Sequence, residues 1–347
     1  AQIQIFSIIE SSFLMSSSLQ IQKHKLNSTF RGIAMKKIYS LLLLSVVLVL
    51  AACGSNDESK TAADGEKPTI KIGYLPITHA VPLYMQSNTE YEDYNLQLVK
   101  FGSWPELVDA LNTGAIDGAS MLIQLAMNAK EKGIDLKAVA LGHRDGNVLV
   151  GGKDIESVED LIGKPFAIPS RFSTHNILLF EMLEKHGIAY DEVEAVEMPP
   201  AEMPAALAEG RIAGYVVAEP FGAISVSLEN GKVLYQSEEI WQDSIDCGLV
   251  LRGQFIEKNR DLVQSFVNDY VAGGELAQLK DDHTHDVVGE YLTVEEDVLD
   301  LSLQWISYDN LKIEEGSYAV LRDALLEMEL SENPPTYEDF VDSSFIN

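Results

Sequence analysis

Ala110-Leu111-Asn112-Thr113-Gly114-Ala115-Ile116-Asp117-Gly118 and Ala206-Leu207-Ala208-Glu209-Gly210-Arg211-Ile212-Ala213-Gly214 carry the same pattern, A-L-x-x-G-x-I-x-G. Each copy reads as a helix that packs its leucine, a glycine that takes the left-handed exit, and an isoleucine that opens a strand. Two copies predict two similar α/β lobes. Coincidence between two helix–glycine–strand turns is the competing reading.

The same grammar surrounds both copies. Thr69-Ile70-Lys71-Ile72-Gly73-Tyr74-Leu75 alternates at period two and reads as a strand ended by Pro76. Leu96 to Phe101, Asp117 to Met121, Leu136 to Leu141 and Asn147 to Gly151 read as further strands, with helices between them. Ser103-Trp104-Pro105-Glu106 reads as a capping box. The order restarts at Ser157-Val158-Glu159-Asp160, with strands over Pro165–Pro169 and Val193–Met198 and a helix from Ser173 to His186. Such alternation predicts an α/β fold with a mostly parallel sheet in each lobe. After the strand Cys247 to Arg252 the chain is helical, with no sheet of its own. It is expected to pack back on the first lobe. The expected boundaries are 68–155 plus 246–347 for lobe 1 and 156–245 for lobe 2.

The 347 residues are 46% hydrophobic, enough for a sizeable core. With Lys+Arg 25 against Asp+Glu 54, the formal net charge is −29, which argues against a nucleic-acid partner. The two cysteines, Cys53 and Cys247, exclude a thiolate-cluster zinc site and a disulfide framework. Met35-Lys36-Lys37, an apolar run from Ile38 to Leu50, and Ala51-Ala52-Cys53 have the order of a secretory signal. Leu50-Ala51-Ala52-Cys53 looks like a bacterial lipobox, which implies cleavage before Cys53, lipid (palmitate among it) on that residue, and attachment to the extracytoplasmic face of the cell membrane. Residues 35–52 are thus expected to be a lipoprotein signal peptide and 53–67 a polar tether. Residues 1–34 read as upstream sequence.

A lipid-anchored, two-lobed α/β chain is a candidate solute receptor, and further stretches sharpen this. Lys71-Ile72-Gly73-Tyr74-Leu75-Pro76, Glu159-Asp160-Leu161-Ile162-Gly163-Lys164-Pro165-Phe166-Ala167-Ile168-Pro169, the second A-L-x-x-G-x-I-x-G copy and Val217-Ala218-Glu219-Pro220-Phe221 occur in this order. Together they resemble the nitrate/sulfonate/taurine/thiamine-pyrimidine group of ABC-transporter solute-binding proteins. The resemblance implies a type II periplasmic-binding-protein fold: two lobes with a ligand cleft between them, here with a C-terminal helical extension on lobe 1. It also implies a sulfonate, nitrate-like oxyanion or amino-pyrimidine ligand, an ABC permease as membrane partner, no enzymatic activity and no cofactor. A monomer is expected. Ala213 departs from the family, many of whose members carry Asp there.

Ligands of open α/β sheets sit beyond the strands' carboxyl ends, where helix N-termini point. That rule selects Thr78 and His79, Ser103 and Trp104, Met121, and Ser173, Thr174 and His175, with Glu219 adding a carboxylate. Ser173 and Thr174 serve equally as plain N-caps, and Trp104 as a hydrophobic wedge. No metal is assigned in the leading reading. The alternative is an exported metal-binding protein or enzyme on the same fold that uses His79, His175 and Glu219. A third reading, an adhesin or scaffold lipoprotein, predicts no buried cleft. His143-Arg144-Asp145-Gly146 reads as a turn, solvated in preference to lining a site with a cationic residue. Asp281-Asp282-His283-Thr284-His285-Asp286 has a metal-like composition but reads in preference as a solvated face, and Cys247 as a buried small hydrophobe.

Overall fold

The structure, a computed structural model, describes residues 67–346. The expected upstream segment, signal peptide, Cys53 and nearly all of the tether lie outside the described residues. Two five-stranded sheets form the frame. The first has the order β2 (Asn95–Lys100), β1 (Thr69–Tyr74), β3 (Gly118–Leu122), β11 (Cys247–Arg252), β4 (Leu136–Leu141). The second has the order β10 (Gly231–Gln236), β6 (Asn147–Gly152), β9 (Gly214–Ala218), β7 (Pro165–Ile168), β8 (Glu194–Glu197). In each sheet the strands around the repeated unit run parallel. One strand, β11 or β6, runs antiparallel beside it.

The repeat is a shared structure with shared register. Gly114 and Gly210 both adopt positive φ, +76° and +68°, and end their helices. Gly118 lies opposite Ile72 on β1, and Gly214 opposite Phe166 on β7. A Cβ on Gly118 would meet Val250 O at 2.7 Å; on Gly214 it would meet Val150 O at 2.6 Å. The last glycine of the motif is required because the antiparallel neighbour's backbone comes too close for any side chain.

The chain passes into the second sheet at Asn147, so β6 belongs to the second lobe and not, as the expected boundary at 155 had it, to the first. The passage itself, through His143, β5 (Arg144–Asp145) and Gly146, is held by β12 (Ile306–Ser307) in the helical tail. Alternation alone cannot say which sheet a strand joins, and β6 is as apolar as the strands before it. The return passage ends at Asp246. The tail's long helix Arg260–Gln278 packs on the helix Val81–Ser87, and a Cβ on Gly273 would meet Pro82 O at 2.4 Å. Val263, Phe266, Val267 and Tyr270 join the core of the first sheet. The second sheet has a smaller apolar cluster on each face. Among the described residues, no helix is long and apolar enough to cross a membrane.

Candidate metal centre

Three strand ends of the first sheet and one helix start of the second lobe meet at the passage between lobes. His79 lies in the short 3-10 turn Thr78–Ala80 after β1, His143 follows β4, and Asp246 immediately precedes β11. His175 is in the first turn of the helix Thr174–Lys185. All four side chains are buried. Asp246 Oδ2 is 3.0 Å from His79 Nδ1 and 3.6 Å from His143 Nε2; Oδ1 is 3.8 Å from His175 Nδ1. The His79 and His143 rings stack with centroids 3.5 Å apart, and His175 lies nearly parallel to His79 at 6.4 Å. Cys247 Sγ is 3.4 Å from His79 Nδ1.

Outer partners decide which nitrogen faces inward. His79 Nε2 is 3.2 Å from Gly146 O, and His143 Nδ1 is 2.7 Å from Asp145 O. A carbonyl only accepts, so each of these nitrogens carries a proton, and in the neutral ring the opposite nitrogen presents a bare lone pair. Both lone pairs then face a carboxylate oxygen, which is also only an acceptor. Acceptors this close are stable only with a cation between them, either a proton or a metal ion. Asp246 Oδ1, His143 Nε2 and both ring nitrogens of His175 are buried without a hydrogen-bond partner. Each such group costs about 1–3 kcal/mol if left unsatisfied.

The charges suit a cation. Burial first, and His79 second, push His143 down to about 4. Burial also lowers His175, against the pull of Asp246. For Asp246, burial acts upward, but His175, His143 and His79 together outweigh it and hold the carboxyl well below its ordinary value. His143 and His175 are therefore neutral near pH 7 while Asp246 is ionised, the states in which these groups bind metals. Burial, then Asp246, raise the Cys247 thiol well above its usual range.

Both lobes hold Asp246 in place. Ile123 N donates to Asp246 O at 2.8 Å, and Asn147 Nδ2 to Asp246 Oδ2 at 3.2 Å. The preceding carbonyl, Ile245 O, accepts from Gln124 Nε2 at 3.1 Å and from the Thr174 hydroxyl. The donor set is imidazole nitrogen and carboxylate oxygen, with one sulfur alongside, which suits zinc or a similar borderline cation better than calcium or magnesium. The 3.0–3.8 Å separations from Asp246 bracket the edge of about 3.3 Å of a tetrahedron with zinc-to-donor bonds of about 2.0–2.1 Å.

The expected single pocket is split into several places. His79 and His175 belong to the centre just described. Ser103 and Trp104 instead line a separate cavity of about 450 Å³ with Ser170, Phe172 and Met198, mostly apolar, which neither histidine lines. Ser103 stands at the N-cap but makes no capping bond, so the expected box is absent there. Met121 is fully buried in β3 and packs in the core of the first sheet, not against a ligand. Ser173 is committed to its helix: its hydroxyl accepts from Asn176 N and donates to Ser170 O. Thr174 joins Gln124 and Ile245 O and so ties the lobes together. Thr78 N and Oγ1 both donate to Glu219 O, at 2.8 and 3.1 Å, a second tie.

Glu219 is not part of the centre. Its carboxyl accepts from Ala223 N at 3.0 Å and lies 3.1 Å from the Ser302 hydroxyl, whose single proton Val298 O also takes at 2.7 Å. Among the described residues the convergent group is His79, His143, Asp246 and Cys247, with one ligand atom from each lying within 4.8 Å of the others. His143 is buried in the turn that leads into β5, the strand that pairs with β12. Asp246 carries no motif, and no signal in the sequence singles it out. In the acidic helical tail His285 pairs with Asp300 at the surface, Nε2 to Oδ1 2.8 Å.

Burial raises Glu219 to about 8, against the opposing bonds from Ala223 and Ser302. The neutral acid therefore contributes stability that is complete below pH 4.5, the unfolded value, and is lost as pH rises through 8. Glu219→Gln should match the parent protein within about 1 kcal/mol at pH 5 and exceed it by several kcal/mol at pH 9. Urea unfolding at the two pH values checks this. A difference independent of pH would mean that the carboxyl ionises in place.

Two lobes joined by paired crossings, with a buried site at the crossing, define the class of two-lobed periplasmic-type binding proteins. The chain belongs to the NMT1-like family, which it matches over residues 63–292. It is 43% identical to the ligand-binding component of an ABC-type import system from Staphylococcus aureus, solved with zinc bound. That match covers 80% of this chain and 98% of the other, with a TM-score of 0.77. The taurine-binding periplasmic protein of Escherichia coli (strain K12) is 34% identical over 179 residues, 50% of this chain and 54% of that protein. The fold is shared with the periplasmic nitrate-binding protein of Synechocystis PCC 6803: 16% identity, 81% and 87% coverage, TM-score 0.72. The chain spans about half the length of the taurine and nitrate/nitrite relatives.

Proposed function

We propose that the chain is the extracytoplasmic binding component of an ABC-type importer and that its cargo is a zinc-like divalent cation held by His79, His143, His175 and Asp246. One observation carries the choice of cargo: two imidazoles, oriented by backbone carbonyls, aim lone pairs at the same buried carboxylate. The expected oxyanion or sulfonate fits this centre poorly, because Asp246 would repel it. A cation bound here draws ligands from both lobes, so binding favours closure, and the closed form is the one offered to a permease. Binding without turnover, a monomer, and attachment to the membrane through lipid on Cys53 complete the reading. The Leu50-Ala51-Ala52-Cys53 stretch supports that attachment. The zinc-bound relative supports the metal.

A second reading follows from the 450 Å³ cavity beside Trp104, whose size and apolar lining suit a small organic ligand such as an amino-pyrimidine. Thermal unfolding of chelator-treated protein separates the two. Zinc at a hundred times its dissociation constant should raise the melting temperature by roughly 5–10 °C. Nitrate, taurine and an amino-pyrimidine should not. A shift with one of these and none with zinc would overturn the metal reading.

A further inference from the structure

The first lobe alone carries four donors. His79, His143, Asp246 and Cys247 all sit at strand ends of the first sheet, and one ligand atom from each falls within a 4.8 Å cluster. His175 is the one donor brought by the second lobe, and its two ring nitrogens are buried without partners. Five donors thus surround a position where zinc takes four. His79 Nδ1 stands between two alternatives, 3.0 Å from Asp246 Oδ2 and 3.4 Å from Cys247 Sγ. With the lobes in contact, His175 Nδ1 lies 3.8 Å from Asp246 Oδ1, on the oxygen that has no other partner.

Resting on the metal reading above, we propose that the bound cation exchanges one ligand as the lobes move. Cys247 completes the set on the open first lobe, and His175 replaces it on closure. On binding to the open form, the Cys247 S–H bond breaks, its proton goes to water, and a metal–sulfur bond forms. On closure the metal–sulfur bond breaks, a metal–nitrogen bond to neutral His175 forms, and the thiolate takes one proton back from water. No electrons are transferred. The exchange gives the protein two grades of hold on one ion. Capture uses donors that need no lobe movement, and retention depends on the second lobe. Opening by a permease would return the ion to the first lobe alone, from which it can leave.

Cobalt(II) titration of the chelator-treated full chain tests this, because cobalt bound by a thiolate shows a sulfur-to-metal charge-transfer band in the near ultraviolet. The parent protein should bind cobalt without that band. His175→Ala should still bind cobalt, roughly 10-fold to 100-fold more weakly, and should gain the band. Adding Cys247→Ser to His175→Ala should abolish the band and weaken binding again. His175→Gln, closer in volume, repeats the test should the alanine variant fail to fold. Cobalt bound by the His175 variants without the band, or an equal band in parent and variants, would overturn the exchange while leaving the metal reading intact. Failure of the parent protein to bind either cobalt or zinc would overturn both.

Discussion

Asp246→Asn should release the metal while leaving the protein folded. Zinc affinity is expected to fall by at least about 100-fold, because one ligand of four accounts for several kcal/mol of a typical structural site. The side chain keeps its shape, so the Ile123 N to Asp246 O bond and the ties through Ile245 O persist. What changes is charge. The ionised carboxylate is the group towards which His79, His143 and His175 converge, and an amide cannot balance a dication. Competition against a chromophoric zinc chelator measures the loss, and circular dichroism establishes that the fold remains. Parent-like affinity in Asp246→Asn would remove Asp246 from the metal shell and with it the proposed centre.

The second large effect is expected far from any charge. Tyr84→Ala should destabilise the protein by about 3–5 kcal/mol, the range for emptying a buried aromatic site. Tyr84 is fully buried, stacks on Tyr291 at 4.2 Å and meets Tyr74 edge-on at 5.3 Å. Its hydroxyl lies 3.2 Å from both Leu75 O and Ile77 O, the carbonyls flanking Pro76 in the segment that leads to His79. Loss of the ring therefore loosens the His79 loop as well as the core. Zinc affinity should fall roughly 10-fold to 100-fold, as it does when an outer partner of a metal shell is removed. Tyr84→Phe keeps the ring and should cost only about 0.5–1.5 kcal/mol for the lost hydrogen bond, because Leu75 O and Ile77 O keep backbone donors in Ile77 N and Ala80 N. Urea midpoints at constant slope measure the stability terms. Equal losses in the two variants would show that the hydroxyl, not the ring, carries the effect.

The lobes were legible from the repeated unit because its requirements are local. A leucine packs under its own helix, a glycine takes positive φ, and a second glycine yields to a neighbouring carbonyl; all three are visible within nine residues. The boundary at Asn147 was not legible. Membership of a sheet depends on a partner strand tens of residues away, and β6 pairs with β9 and β10. The candidate centre was legible only in part, through the two residues whose place follows from a local element. His79 and His175 follow strands, and the rule that ligands gather at strand ends found both. Glu219 obeyed that rule too, yet its carboxyl turns to Ala223 and Ser302, the latter on the tail helix Glu296–Gln304.

By itself, then, the amino-acid order determined the α/β class, the two lobes, the helical extension and two of the histidines, since each follows from periodicity, a turn residue or a helix cap within one element. Tertiary structure alone decided that His143 is buried, that three imidazoles gather around Asp246, and that Trp104 lines a cavity that His175 does not. Those facts rest on contacts between strand ends far apart in sequence, from β1, β4 and β11 to the first turn of the helix Thr174–Lys185. The physical reason is that a ligand shell depends on distances of a few ångströms between side chains, and such distances exist only after both sheets have formed and the chain has crossed between them twice.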